Sequence, residues 1–141
     1  MLPVEKATSA GGVVLRNAND DIEVLICNRL KRNIWALPKG TPDQGEEIIE
    51  TALREVREET GLKVKVTAKV GSINYWFKQE NIRYNKTVYF FLMEPVGGSL
   101  EEHDPEFDIV EWVSLAEAYR RMSYKNEIRM VSQAVDIYCR K

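Results

Sequence analysis

The run EEIIETALREVREET, residues 46–60, constrains the fold most. Acid in its first turn and Gly61 just beyond its end predict a helix from about Glu46 to Thr60. At about 100° per residue, Ile49, Leu53, Val56 and Thr60 form one apolar stripe that must pack on something. Glu55, Glu58 and Glu59 fall together roughly 120° from that stripe. Like charges at offsets of three and four repel by a few tenths of a kcal/mol per pair. Within the helix no lysine follows any of the three at i+4, since Lys63, four after Glu59, falls beyond the Gly61 stop, whereas Glu50 has Arg54 at that spacing. A solvated acidic face is the ordinary meaning of such a run. An unneutralised triad beside a separate packing stripe favours another: three carboxylates facing a cleft and a hard divalent cation. Without that cation, mutual repulsion should raise at least one of their pKa values.

Around this helix the chain alternates strand and turn signals. Residues 7–17, ATSAGGVVLRN, predict a strand whose small residues suit close backbone approach. After the turn cluster NANDD, residues 22–30 carry a continuous apolar centre and predict a strand buried on both faces. Residues 31–45 read as a loop with a short extended piece at Ile34 to Leu37. Val64, Val66, Ala68 and Val70 alternate as a half-buried strand should. Residues 73–93 predict a hairpin turning near Gln79 to Asn81, followed by a loop at 94–106 and a last strand in 107–115. Two helices close the chain, at 114–122 and 125–139, the latter with a stripe of Ile128, Val131, Val135 and Tyr138. The order predicts a single mixed α/β domain over 1–141 with helices covering a sheet.

The 141 residues carry a formal net charge of −2, which gives no global attraction to duplex nucleic acid. Cys27 and Cys139 lack metal-ligand spacing, and one histidine, His103, cannot complete a zinc site. Both cysteines read as free thiols, which fits a reducing compartment. The opening residues MLPVEKATSAGG lack the apolar core of a leader, and no run approaches membrane-spanning length, so a cytoplasmic protein is expected. Nothing in the pattern fixes an oligomeric state.

Extended in both directions, the helix becomes GTPDQGEEIIETALREVREETGL, residues 40–62. Gly40, Glu46, Arg54, Glu55, Val56, Glu58, Glu59, Gly61 and Leu62 fill every specified position of the Nudix box. The chain therefore resembles the Nudix hydrolases over most of its length. The resemblance implies an α/β/α sandwich with a mixed β-sheet and a loop–helix–loop catalytic motif. It implies Mg2+ (or Mn2+) held by Glu55, Glu58 and Glu59, with one of them activating water. Arg54 and Glu46 would orient the cluster, and a backbone carbonyl at Lys39 or Gly40 would add a ligand. A glutamate on the loop before the last strand would add another, Glu106 in first place and Glu102 as the alternative.

The substrate must be read from the flanks. Lys39 in WALPKG stands one residue before the metal loop and could reach a phosphate as a point charge, or simply face solvent. PKG here resembles diadenosine tetraphosphate hydrolases and mRNA-decapping Nudix enzymes. In INYWFKQENIRYNKTVYFFLM aromatics alternate with cations, so Arg83 and Lys86 are candidates for polyphosphate. Aromatics in strands are more often core, yet the resemblance to dinucleoside polyphosphate hydrolases gives Lys86 a phosphate and Tyr75 a base to stack on. Tyr124 would line the nucleotide pocket or cap the core. The expected activity is asymmetric hydrolysis of diadenosine tetraphosphate to ATP plus AMP. Pyrophosphate removal from a nucleoside triphosphate or RNA 5′ end, ADP-ribose hydrolysis, and a non-catalytic nucleotide-sensing module are the alternatives.

Overall fold

The computed structural model describes residues 2–29, 31–105 and 109–140. In chain order the elements are β1 (Val4–Ala18), β2 (Asp21–Arg29), β3 (Ile34–Ala36), β4 (Lys39–Gly40) and α1 (Ile48–Thr60). They continue with β5 (Leu62–Gln79), β6 (Ile82–Gly98), a 3-10 turn at Leu100–Glu102, β7 (Ile109–Ser114), α2 (Leu115–Arg121) and α3 (Lys125–Cys139).

One mixed sheet runs β3-β2-β1-β6-β5, with β7 added on β2 and β4 on β1. β1 lies parallel to β6, Val4–Val14 against Arg83–Met93, while the other pairings are antiparallel. Alternation along the strands sends side chains into two cores. Val13, Leu15, Val24, Ile26, Val88 and Phe90 face α2 and α3. Ala10, Val14, Leu25, Phe91 and Met93 face Ala52 and Val56 of α1. Burial of two complete apolar faces, at roughly 25 cal/mol per Å², is what holds this α/β/α sandwich together.

β1 and β2 pair only from Leu15 to Ala18, and then diverge. The segment Leu37–Gly40 fills the fork, with β4 pairing Ala10 and Gly11. The approach requires small residues: a Cβ on Gly11 would lie 2.2 Å from the Pro38 carbonyl oxygen. The sequence expectation of close approach in ATSAGG has this as its physical cause.

Several boundaries moved. Two expected strands are one, since β5 runs unbroken for 18 residues and absorbs the irregularity in register shifts near Lys63/Val64, Val66/Ala68 and Lys69/Gly71. EPVGG is strand rather than loop, because β6 continues to Gly98 opposite Leu62. The hairpin turns at Glu80 and Asn81, both at positive φ, as a two-residue turn between twisted strands demands. β4 lies inside the expected loop of residues 31–45, because two residues of pairing leave no periodicity to see. Among the described residues no helix is long and apolar enough to cross a membrane.

Candidate active site

Helix α1 begins by turning its own side chains back. The Glu50 carboxylate accepts the Glu47 backbone N–H at 3.0 Å, which satisfies an orphan donor of the first turn. Glu50 is therefore not the partner of Arg54, as spacing alone suggested. Gly61, at φ 80°, closes the helix with its N–H on the Arg57 carbonyl at 2.8 Å.

Arg54 instead organises the acids. Its Nε and Nη2 fork onto Glu46 at 2.8 and 3.0 Å, and Nη1 donates to Glu55 at 2.8 Å and Glu58 at 2.9 Å. Nη2 also reaches the Thr41 carbonyl at 3.0 Å. Two of the three thus have a cation after all, placed N-terminal to them where a search for lysines downstream does not look. Arg54 holds Glu46 at a pKa of about 2, with help from the Asp43 N–H and the Thr51 hydroxyl. The guanidinium is in turn held more firmly protonated, chiefly by Glu46. Glu55 moves the other way: burial raises its pKa, Arg54 opposes, and the charge of Glu58 adds to the rise. The expected upward shift is there, with burial ahead of repulsion as its cause.

The three carboxylates do not share one equal face. Glu59 is buried with Thr51, Ala52, Val56 and Thr60, whereas the Glu58 side chain is 45% exposed. Ile49, expected on the packing stripe, is exposed. The helix is rotated so that its Glu55–Glu59 side meets β4. There the Lys39 N–H donates to Glu59 Oε2 at 3.2 Å. A Cβ on Gly40 would sit 1.2 Å from Glu55 Oε2, so the carboxylate lies directly on the glycine backbone.

Three cavities follow one another along this line. The first, about 380 Å³, is lined by five acids, Asp43, Glu55, Glu58, Glu59 and Asp104, together with Arg29, Lys39 and Arg54. The second, about 230 Å³, shares Arg29, Lys39, Gly40, Thr41 and Glu59 with the first and adds Ser9, Arg32 and Lys86. The third, about 350 Å³, adjoins the second at Lys39 and Tyr124 and adds Tyr75, Asn126 and Glu127. A separate apolar groove of about 600 Å³ beside Ile49 and Tyr89 contains no residue of the triad.

Lys39, Lys86, Tyr75 and Tyr124 are brought together here, and Arg83 is not. Arg83 lies over the exposed Trp76 ring at 4.8 Å, and strand alternation points it to the sheet face opposite Lys86. Lys39 is not free either: its Nζ pairs with Glu127 Oε2 at 2.7 Å. Burial depresses its pKa and Glu127 more than offsets this, so the net shift is upward. Burial lowers the pKa of Lys86, and the charge of Lys39 adds to that effect. Glu106 lies outside the described residues. Of its neighbours, Asp104 lines the acidic cavity, with its N–H on the Glu58 carbonyl at 2.8 Å.

The sequence reading missed Arg29, Arg32, Ser9, Asp104 and Glu127. The basic run NRLKRN just before WALPKG carried a signal for the two arginines. A lone Glu127 on the stripe of Met130, Val131 and Ala134 carried one for the buried acid.

Among the described residues no three Asp, Glu, His or Cys side chains already stand close enough to hold an ion. The donor set around Glu55, Glu58, Glu59 and Gly40 is nevertheless all oxygen, with no thiol or imidazole lining that cavity. That chemistry fits a hard cation such as Mg2+ or Mn2+.

The NUDIX domain model matches residues 6–134. The chain belongs to the Nudix family. It is 38% identical over 136 residues to a Mycobacterium tuberculosis protein carrying the provisional name mutator protein MutT4, covering 92% of this chain and 55% of that one. It is 33% identical over 110 residues to the mouse asymmetrical bis(5′-nucleosyl)-tetraphosphatase, covering 74% of this chain and 72% of that one. A Caenorhabditis elegans Ap4A hydrolase binary complex has the same fold, with TM-score 0.74 at 19% identity over 96% of this chain and 99% of that chain. The Nudix chain spans 55%, 41% and 34% of the length of three curated relatives it matches.

Proposed function

We propose that this chain is a Mg2+-dependent (or Mn2+-dependent) Nudix pyrophosphohydrolase acting on a nucleoside diphosphate linked to another moiety, with diadenosine tetraphosphate, split to ATP plus AMP, as the preferred substrate. The observation that carries the reading is the sequence of cavities: acid, then cation, then aromatic. Glu55, Glu58, Glu59, the Gly40 carbonyl and Glu106 would hold the metal. A bound divalent cation would offset charge at phosphorus and lower the pKa of its water. One of the box carboxylates accepts the proton of the attacking water. Arg54 orients Glu46, Glu55 and Glu58, and its bidentate grip on Glu46 limits the rotation of that carboxylate. Arg29, Arg32, Lys39 and Lys86 neutralise the phosphates that are not cleaved. The rings of Tyr75 and Tyr124 offer faces to an adenine.

A second reading, pyrophosphate removal from a nucleoside triphosphate, draws its substrate class from 28% identity to a Mycolicibacterium smegmatis protein named 8-oxo-(d)GTP phosphatase. A product assay with Mg2+ separates them. Diadenosine tetraphosphate giving ATP and AMP faster than any other turnover supports the first. A triphosphate giving NMP and pyrophosphate faster supports the second. Glu58→Gln should lower turnover by orders of magnitude while nucleotide binding survives. Unchanged turnover in that variant would remove Glu58 from the site, and a wild-type chain inert on every substrate would leave a sensing module.

A further inference from the structure

Residues 35–39 hang from the start of α3. The Trp35 N–H donates to the Ser123 hydroxyl at 2.9 Å, and the Ser123 N–H returns a bond to the Trp35 carbonyl at 3.0 Å. Two residues on, the Leu37 N–H donates to Glu127 Oε1 at 2.8 Å. Two further on, Lys39 Nζ meets the other oxygen, Oε2, at 2.7 Å. Glu127 is 1% exposed. A buried carboxylate is retained only if its oxygens are satisfied, and here Leu37 and Lys39, in the segment leading to Gly40, satisfy them. The opposite edge of the same segment faces α1, through the Lys39 N–H on Glu59. One carboxylate therefore sets the height and register of the residues that meet Glu55 and Glu59.

We propose that Glu127 is a positioning residue of this site: it holds Leu37–Gly40 against the box carboxylates and fixes the Lys39 ammonium between the phosphate cavity and the aromatic cavity. The part concerning metal and phosphate rests on the function proposed above. A Glu127→Gln variant keeps an oxygen acceptor for Leu37 but loses the charge that pairs with Lys39. Glu127→Ala loses both.

The test uses the full chain and three readouts: Mn2+ titration by electron paramagnetic resonance without substrate, hydrogen exchange at the Leu37 amide, and steady-state kinetics on diadenosine tetraphosphate. Glu127→Ala should weaken Mn2+ by about tenfold and expose the Leu37 amide, which Glu127→Gln should largely restore. Glu127→Gln should still change KM by about threefold or more, and that change should vanish in a Lys39→Met background. Wild-type Mn2+ affinity and Leu37 protection in the alanine variant would overturn the proposal. Equal losses in both variants, tracking melting temperature alone, would overturn it too, by making Glu127 a core residue and nothing more. Should the wild-type chain bind no Mn2+, the proposed function falls, and Leu37 exchange by itself decides the positioning role.

Discussion

Gly40→Ala should separate activity from stability. The new Cβ would lie 1.2 Å from Glu55 Oε2 and 2.1 Å from its Cδ. Ordinary contact begins near 3.5 Å, so the carboxylate must retreat by about 2 Å. Its other oxygen then leaves Arg54, a part-exposed bond at 2.8 Å. Losing such a bond costs about 1 kcal/mol, which in a domain of this size lowers Tm by about 2–4 °C. Misplacing a reacting group by about 1 Å costs on the order of 10²-fold in rate, so kcat should fall by at least that much. Gly11→Ala is the control. Its Cβ would meet the Pro38 carbonyl oxygen at 2.2 Å and Lys39 Cα at 2.9 Å, which are backbone atoms that cannot swing aside. That variant should lose several kcal/mol of stability. Thermal melts and single-turnover kinetics measure both. A Gly40→Ala enzyme that keeps kcat within about threefold, or about 0.6 kcal/mol, would refute the placement of Glu55 in the reaction.

Three shorter predictions complete the set. Glu46 has a folded pKa of about 2 against an ordinary 4.5, so its contribution is complete above pH 4.5 and is lost as pH falls toward 2. Urea midpoints at pH 5 and pH 2.5 should therefore differ more in the wild type than in Glu46→Gln, and an equal difference would remove Glu46 as the cause. Cys27 is buried with its thiol pKa pushed up by burial, whereas Cys139 is exposed. A thiol reagent should titrate one cysteine in the native chain and two in denaturant, and rapid labelling of both would contradict the core packing. Ser9 Oγ is buried without a hydrogen-bond partner in the cation-lined cavity. Ser9→Ala should leave Tm unchanged or higher and raise KM for a polyphosphate substrate, and an unaltered KM would leave the hydroxyl without a role.

What was legible in the sequence was whatever repeats along the chain. The helix from residue 48 to 60 has a period and a glycine stop, and α3 was bounded to the residue by its polar flanks and apolar stripe. The box positions were legible because seven of them lie on or beside that one helix. Contacts made across the fold were not. No local pattern says that Arg54 turns toward Glu46 and Glu58 rather than Glu50, since several spacings allow an ion pair and the loop at Thr41 decides among them. Nor does the sequence show that Lys39 finds Glu127, 88 positions away, because that pairing exists only once α3 has packed on the sheet. Arg83 and Lys86 look equivalent in a row of aromatics and cations. Strand parity, which the register fixes, sends them to opposite faces.

The register shifts in β5 have a consequence beyond the site. β5 is the outermost strand on its side of the sheet and is 18 residues long, which offers an unusually long template for another chain to add to. Lateral growth needs an even ladder of free amides and carbonyls. Three breaks in register within nine residues deny that evenness, and the exposed side chains of Lys63, Lys65 and Lys69 put like charge along the same stretch. An irregularity that looks like imperfect pairing from inside the sheet is, from outside, a guard against aggregation.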